Sequence, residues 1–107
     1  MKNRHIVECT AAVTLLLMGS AHAEDHKLVI KDFMFTPMAI TIPVGDTVIW
    51  DNEDGEPHTV VSLDGGYRSK ALDEKDSFSH TFTSAGTFKY VCSIHPRMTG
   101  TVTVTAK

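Results

Sequence analysis

The sequence has 107 residues, with 10 Lys and Arg against 13 Asp and Glu, and a formal net charge of −3. A chain of this length has room for one domain, and its negative balance argues against nucleic acid, whose phosphates demand a basic face. An acidic surface is compatible with a soluble partner that carries a basic patch.

Residues 1–23 have the three zones of a secretory leader: two basic residues, an apolar stretch and then small residues. The apolar stretch, residues 9–18, is too short to span a bilayer as a stop-transfer helix. Ala21-His22-Ala23 fits an A-x-A cleavage signal. We therefore expect a cleaved signal peptide over 1–23 and a soluble mature domain over 24–107, exported to the periplasm.

Cysteine usage is the first specific clue to function. The mature chain contains a single cysteine, Cys92, and so cannot form an internal disulfide. In the oxidising compartments outside the cytoplasm, a lone thiol is a liability unless it is buried or bound to a metal. A buried, inert thiol is the alternative on this fact alone. A domain of this size buries a modest core, so a bound metal would also stabilise the fold.

The rest of the chain has the pattern of an all-β domain. Short segments rich in Val, Ile, Thr, Phe and Tyr recur and are separated by Gly, Pro, Asp and Asn. No stretch keeps a sustained helical period, although residues 69–75 are expected to form one short helical turn. These patterns predict a Greek-key β-sandwich of about seven to eight strands. The predicted strands, in chain order, are 27–31, 39–42, 47–52, 58–62, 78–82, 87–91 and 99–105.

The loop between the last two predicted strands concentrates metal donors. Cys92, His95 and Met98 follow one another at intervals of three residues, so a tight loop can direct all three side chains at one ion. Soft thiolate and thioether donors select copper, and imidazole serves both of its oxidation states. The alternatives are a surface histidine at position 95 and a core methionine at position 98. A fourth donor must come from elsewhere, and His58, which opens a predicted strand, is a strong candidate.

Several short motifs carry a resemblance to a known family. Trp50-Asp51-Asn52 is followed by Pro57-His58-Thr59-Val60, and Tyr90-Val91-Cys92 precedes the loop His95-Pro96-Arg97-Met98-Thr99-Gly100. Together these segments resemble the first-ligand region, the cysteine strand and the ligand loop of the cupredoxins, the blue copper proteins. Within that family the short loop is most similar to that of the amicyanins. The resemblance covers nearly all of the mature chain and implies a cupredoxin-like sandwich.

The resemblance also implies a role for each donor. Cys92, His58 and His95 would be the strong equatorial ligands of one copper ion that alternates between Cu(I) and Cu(II), and Met98 would be the long axial ligand. Asn52 would brace the two ligand loops through hydrogen bonds. The implied function is that of a single-electron carrier and not of an enzyme. A further implication is that His95 can leave Cu(I) on protonation; a reduction potential that stays flat from mildly acidic to neutral pH would contradict it.

The expected partners are soluble redox proteins, a c-type cytochrome or a periplasmic dehydrogenase, which exchange electrons with a monomeric carrier near the edge of His95. Arg97 occupies a loop position that is apolar in familiar amicyanins, so methylamine dehydrogenase is not assigned as a partner. A copper chaperone or buffer is the alternative function, because the same ligands would serve it from an exposed, labile site. Structural zinc is disfavoured by Met98, since zinc sites prefer Cys, His and carboxylate.

Three other features receive separate expectations. His80 lies on the apolar face of a predicted strand and is expected in the core, and so are Met34 and Met38. The alternative for Met34 or Met38 is a small apolar docking patch with Pro96 and Thr99. If the leader is cleaved as predicted, the chain begins Glu24-Asp25-His26. The free amine, two backbone amides and the imidazole of such a tripeptide can bind Cu(II) or Ni(II) in a square plane. Chance occurrence of this tripeptide is the simpler interpretation.

Overall fold

The computed structural model describes residues 22–107, so residues 1–21 of the predicted leader lie outside the described part, and its cleavage stays a prediction. Within 22–107 the chain forms strands and loops, and no helix is long and apolar enough to cross a membrane. The strands are β1 Asp25–Lys31, β2 Met34–Thr36, β3 Ala39–Pro43, β4 Thr47–Asn52, β5 Val61–Ser62, β6 Ser77–Thr81, β7 Gly86–Val91 and β8 Thr99–Thr105.

The strands form two four-stranded sheets around one core. The order is β2-β1-β4-β6 in the first sheet and β3-β8-β7-β5 in the second. The pairs β1–β4 and β3–β8 are parallel, whereas the other neighbours are antiparallel. Each parallel pair joins strands that are distant in the sequence. From β2 to β7 every connection crosses from one sheet to the other. The prediction of an all-β sandwich is confirmed.

An aromatic cluster fills the core behind the ligand loops. Burial alternates along β4, as a strand with one buried face requires, and Trp50 lies on the inner face. Trp50 and Tyr90 are fully buried and pack edge to face, with ring centroids 5.3 Å apart. Phe35 packs against Tyr90 in the same way at 4.7 Å. The cluster therefore clamps β4 to β7, the two strands from which the ligand loops depart.

The ring of Tyr90 has space only because residue 100 lacks a side chain. The two residues pair across β7 and β8, and a Cβ added at Gly100 would lie 2.2 Å from Tyr90 Oη. We expect Gly100→Ala to lower the free energy of unfolding by about 3 kcal/mol, the upper part of the range for an overpacked core. Urea unfolding of the metal-free protein measures this. Gly55→Ala, where nothing lies within 4 Å of the added Cβ, is the matched control, and equal effects of both would contradict the prediction.

The strand predicted over 58–62 was too long, because only its last two residues form β5. His58 instead exchanges backbone hydrogen bonds with Leu72, with N···O distances of 3.1 and 2.7 Å. The N–H of Thr59 donates to Cys92 Sγ at 3.3 Å. The His58 amide is thus used in a single isolated bridge and the Thr59 amide in a bond to sulfur, so neither belongs to β5. Alternation of residue types does not reveal this use.

The helical turn predicted over 69–75 is also wrong. Leu72 forms an isolated antiparallel bridge with His58, and its side chain is buried in the core. A bridge of this kind needs extended backbone, which excludes a helical turn at that point. The segment around Leu72 therefore packs against His58 in extended conformation.

Met34 and Met38 lie at the surface, whereas His80 packs at the edge of the core. Met34 and Met38 are 51% and 55% exposed, so placing them in the core was wrong. Phe35 takes the inner position of β2, and the period of two therefore turns Met34 outward. His80 is half-buried and stacks on Tyr67 with ring centroids 4.4 Å apart, which agrees with a packed histidine at the edge of the core.

Candidate metal centre

Three of the predicted donors meet at one end of the sandwich. Cys92 Sγ lies 3.8 Å from His58 Nδ1 and 3.7 Å from His95 Nδ1. His58 and Cys92 are buried, whereas His95 is partly exposed. The first histidine follows β4 and the other two donors follow β7, so the fold joins residues more than thirty positions apart.

The loop after β7 is closed by its own backbone. The N–H of His95 donates to the Cys92 carbonyl at 3.2 Å, the N–H of Met98 donates to the His95 carbonyl at 2.9 Å, and the N–H of Cys92 donates to the Met98 carbonyl at 3.1 Å. The three-residue spacing seen in the sequence corresponds to these turns. Met98 is buried at the end of the loop and lines the same hollow as His95.

The electrostatics of the site favour a thiolate. Burial raises the pKa of the Cys92 thiol, but hydrogen bonding with the Thr59 N–H and with the rings of His58 and His95 outweighs burial and lowers the pKa to about 6. A thiolate is the form in which cysteine binds metals. The donor is therefore ready for a metal ion at neutral pH.

We expect the thiolate absorbance of the metal-free protein to rise with a midpoint near pH 6, the value to which the site lowers the pKa of Cys92. Below this pH, protons compete with the metal for sulfur, and copper binding weakens. Ultraviolet titration measures the midpoint, and the same titration in denaturant is the control, where the value returns to about 8.5. Equal midpoints for folded and unfolded protein would contradict the expectation.

Asp54 is a functional residue that the sequence reasoning missed. Its Oδ2 lies 2.8 Å from His58 Nε2, and its two oxygens accept the backbone N–H groups of Asp32 at 2.7 Å and Phe33 at 3.0 Å. Burial raises the pKa of Asp54, but these donors outweigh it and lower the pKa below its usual range. Because a carboxylate only accepts, Asp54 holds the Nε2 proton of His58, which leaves Nδ1, the nitrogen that faces Cys92, as the one that would bind a metal ion.

Phe33 joins the turn between β1 and β2 to both histidines. Its ring packs edge-on against His58 and His95, with centroid distances of 5.3 and 4.8 Å. Asp32 and Phe33 have φ values of 53° and 57°, so the turn is held in a left-handed conformation that non-glycine residues rarely adopt. The hydrogen bonds to Asp54 stabilise this turn. The only signal in the sequence was an acidic residue four positions before His58.

Asn52 braces one ligand loop, and a different residue connects the two. The Asn52 amide donates to the carbonyls of Glu56 at 3.0 Å and Leu72 at 2.9 Å, while its oxygen accepts the Asp54 N–H at 2.9 Å. These bonds all lie on the His58 side of the site, so the expected bracing of both loops by Asn52 was too broad.

The link between the loops comes from Thr59. Its Oγ1 accepts the N–H of Ser93 at 2.8 Å and lies 2.8 Å from the Ser93 hydroxyl. Together with the bond from the Thr59 N–H to the cysteine sulfur, these contacts fix one ligand loop to the other.

The donor chemistry fits one copper ion. Two imidazole Nδ1 atoms and a thiolate converge, and a buried thioether closes the same loop. This combination of two histidines and one cysteine with a weak methionine is typical of blue copper sites.

The comparisons with known proteins agree with this chemistry. Residues 7–104 match the family model described as a cupredoxin-like domain, a range that begins inside the predicted leader. The chain belongs to this family. Its cofactor is one copper ion in the Cu(I) or Cu(II) state, as expected from the sequence, and the family is one of electron carriers.

Individual relatives include plastocyanins and amicyanins. The plastocyanin of Scenedesmus fuscus is 37% identical over 84 residues, covering 66% of this chain and 86% of that protein. The amicyanin of Paracoccus denitrificans is 41% identical over 68 residues, covering 59% of this chain and 52% of that protein. The chain thus spans most of the plastocyanin but only about half of the amicyanin.

Solved structures support the same fold. A purple cupredoxin from Nitrosopumilus maritimus has a TM-score of 0.71 at 35% identity, covering 76% of this chain and 100% of that one. Amicyanin from Paracoccus versutus has a TM-score of 0.70 at 29% identity, covering 75% and 80%. The family and fold expected from the sequence motifs are confirmed.

Proposed function

We propose that the chain is an exported type 1 copper protein that carries single electrons between soluble redox partners in the periplasm. The observation that carries the proposal is the assembly of a low-pKa thiol and two imidazole Nδ1 atoms, 3.7–3.8 Å from the sulfur, inside a rigid sandwich. The leader pattern of residues 1–23 supports export.

Each donor has a distinct part in the proposed site. Cys92, His58 and His95 would hold the copper ion as its strong ligands, and Met98 would add a weak fourth ligand. Bound copper supplies a one-electron couple between Cu(I) and Cu(II). The protein holds the ligands in one arrangement through Asp54 and through the bond between Thr59 and the cysteine sulfur. Little therefore has to move when an electron arrives or leaves.

The proposed route of the electron passes through the edge of His95. This ring is partly exposed at a hollow lined by Phe33, Ile94, Pro96 and Arg97. Burial of the other donors keeps water from the sulfur, which helps to set the reduction potential. A soluble partner, a c-type cytochrome or a periplasmic dehydrogenase, would dock over this hollow against a monomeric carrier.

The test is to load the metal-free protein with one equivalent of Cu(II). We expect an intense blue colour that disappears with a mild reductant and returns on oxidation. A pale protein that transfers Cu(I) rapidly to a chelator would favour the alternative, a copper chaperone or buffer. The buried positions of Cys92 and His58 support the carrier, because delivery requires an accessible, labile site.

The proposed methionine ligand allows a separate test. We expect Met98→Gln to lower the reduction potential, because a hard amide oxygen favours Cu(II) over Cu(I) relative to a soft thioether. Cyclic voltammetry of both proteins measures the shift. Met38→Gln, at an exposed methionine outside the loop, is the control and should leave the potential unchanged. A potential that is unaffected by Met98→Gln would remove this methionine from the ligand set.

A further inference from the structure

A second group of metal donors lies at the opposite end of the sandwich from the copper loops. The carboxylates of Glu24 and Asp46 and the ring of His26 place their donor atoms within 4.8 Å of one another. Strand β1 begins beside this group and ends beside Phe33 at the proposed copper site. A strand of this length separates the two sites by about 20 Å.

Asp46 organises this second group. It is only 3% exposed, and both of its oxygens face the segment 24–26. Oδ2 lies 2.7 Å from His26 Nε2, and Oδ1 accepts the N–H of Glu24 at 3.1 Å. The hydrogen bond with His26 lowers the pKa of Asp46 more than burial raises it, and the positive charge of Lys107 lowers this pKa further. The carboxylate is therefore anionic and is held in a fixed position beside the other two donors, as a cation site requires.

The fold disfavours the square-planar tripeptide mode suggested by Glu24-Asp25-His26. In that mode the amides of Asp25 and His26 would both turn toward one ion. Here the two residues lie in β1 and pair with Thr47 and Val48 of β4. The Glu24 carbonyl also accepts the Thr47 N–H at 3.0 Å. Wrapping these amides around a metal would unpair the start of the strand.

We propose that Glu24, His26 and Asp46 instead bind one divalent cation through their side chains, with Zn²⁺ as the best match. Zinc combines imidazole nitrogen with carboxylate oxygen and completes four-coordination with water when three protein donors are present. If the leader is cleaved after Ala23, the amine of Glu24 competes for that last position. The site is independent of the copper centre and of the electron-carrier function proposed for it.

The experiment is calorimetric titration of the copper-loaded, exported protein with Zn²⁺ alone. We expect one equivalent to bind without a change in the blue spectrum. His26→Asn and Asp46→Asn should each weaken zinc binding by at least about tenfold, since even the loss of a residue that only hydrogen-bonds to a metal ligand has an effect of this size. Asp25→Asn, which alters the same tripeptide but not the donor group, is the matched control and should bind as the parent does.

Three results would overturn the proposal: no zinc bound beyond the copper equivalent, binding that survives His26→Asn, or binding that survives Asp46→Asn. The last result would indicate the amine-and-amide mode, which does not use Asp46. The blue spectrum reports whether each variant is folded. If Asp46→Asn fails to fold, Glu24→Gln at an exposed position replaces it, with the same tenfold weakening expected and unchanged binding counting against the site.

Discussion

Replacing Cys92 with serine is expected to abolish the blue colour of the copper-loaded protein and its reversible one-electron reduction. A serine hydroxyl stays protonated at neutral pH, whereas the site lowers the pKa of the cysteine thiol to about 6. The variant therefore loses the anionic, soft donor that selects copper. Visible absorption and cyclic voltammetry measure the two losses.

The same variant should lose most of the stabilisation that copper provides. A ligand present at a thousand times its dissociation constant adds about 4 kcal/mol to the free energy of unfolding, and this difference between loaded and metal-free protein should largely vanish. The metal-free forms should differ little, because serine is close to cysteine in shape. His80→Asn, at a histidine packed on Tyr67 away from the site, is the control. A blue, reducible Cys92→Ser protein would refute the assignment of this ligand.

The second large effect is expected for Asp54→Ala, in both copper binding and stability. The change removes the acceptor of His58 Nε2 and of the Asp32 and Phe33 N–H groups. Loss of a partner that orients a metal-bound histidine weakens metal binding about 10–100-fold. Each buried donor left without an acceptor costs about 1–3 kcal/mol. Since water can reach part of the turn, we expect about 2–4 kcal/mol in total.

Copper competition with a chelator and urea unfolding of the metal-free protein measure these effects. A change in the copper spectrum distinguishes positioning of His58 from a general loss of stability. Asp51→Asn, on the strand that precedes Asp54, is the control, because its pair with Lys27, at 3.3 Å, lies at the surface and contributes little. Parent-like copper affinity in Asp54→Ala would show that His58 does not need this carboxylate.

Sequence patterns were sufficient where the relevant interactions are local. The strand predicted over 47–52 agrees with β4, and the three-residue spacing of Cys92, His95 and Met98 corresponds to turns closed within the loop itself. Both depend on residues a few positions apart, so their geometry follows from residue order. The family followed from such local motifs as well. Cleavage of the leader and the electron partner stay predictions.

Other features depend on contacts between distant segments, and only the folded chain reveals them. The predicted strand over 58–62 shortened because the Thr59 amide binds a sulfur 33 positions away. Asp54 gained its role from the turn at Asp32 and Phe33, and Asp46 from the start of β1. No periodicity records such contacts: the parallel pairing of β1 with β4 produces those of Asp54 and Asp46, and the packing of the two sheets produces that of Thr59. Residue order thus defined the donor loop, and tertiary packing decided what surrounds and orients it.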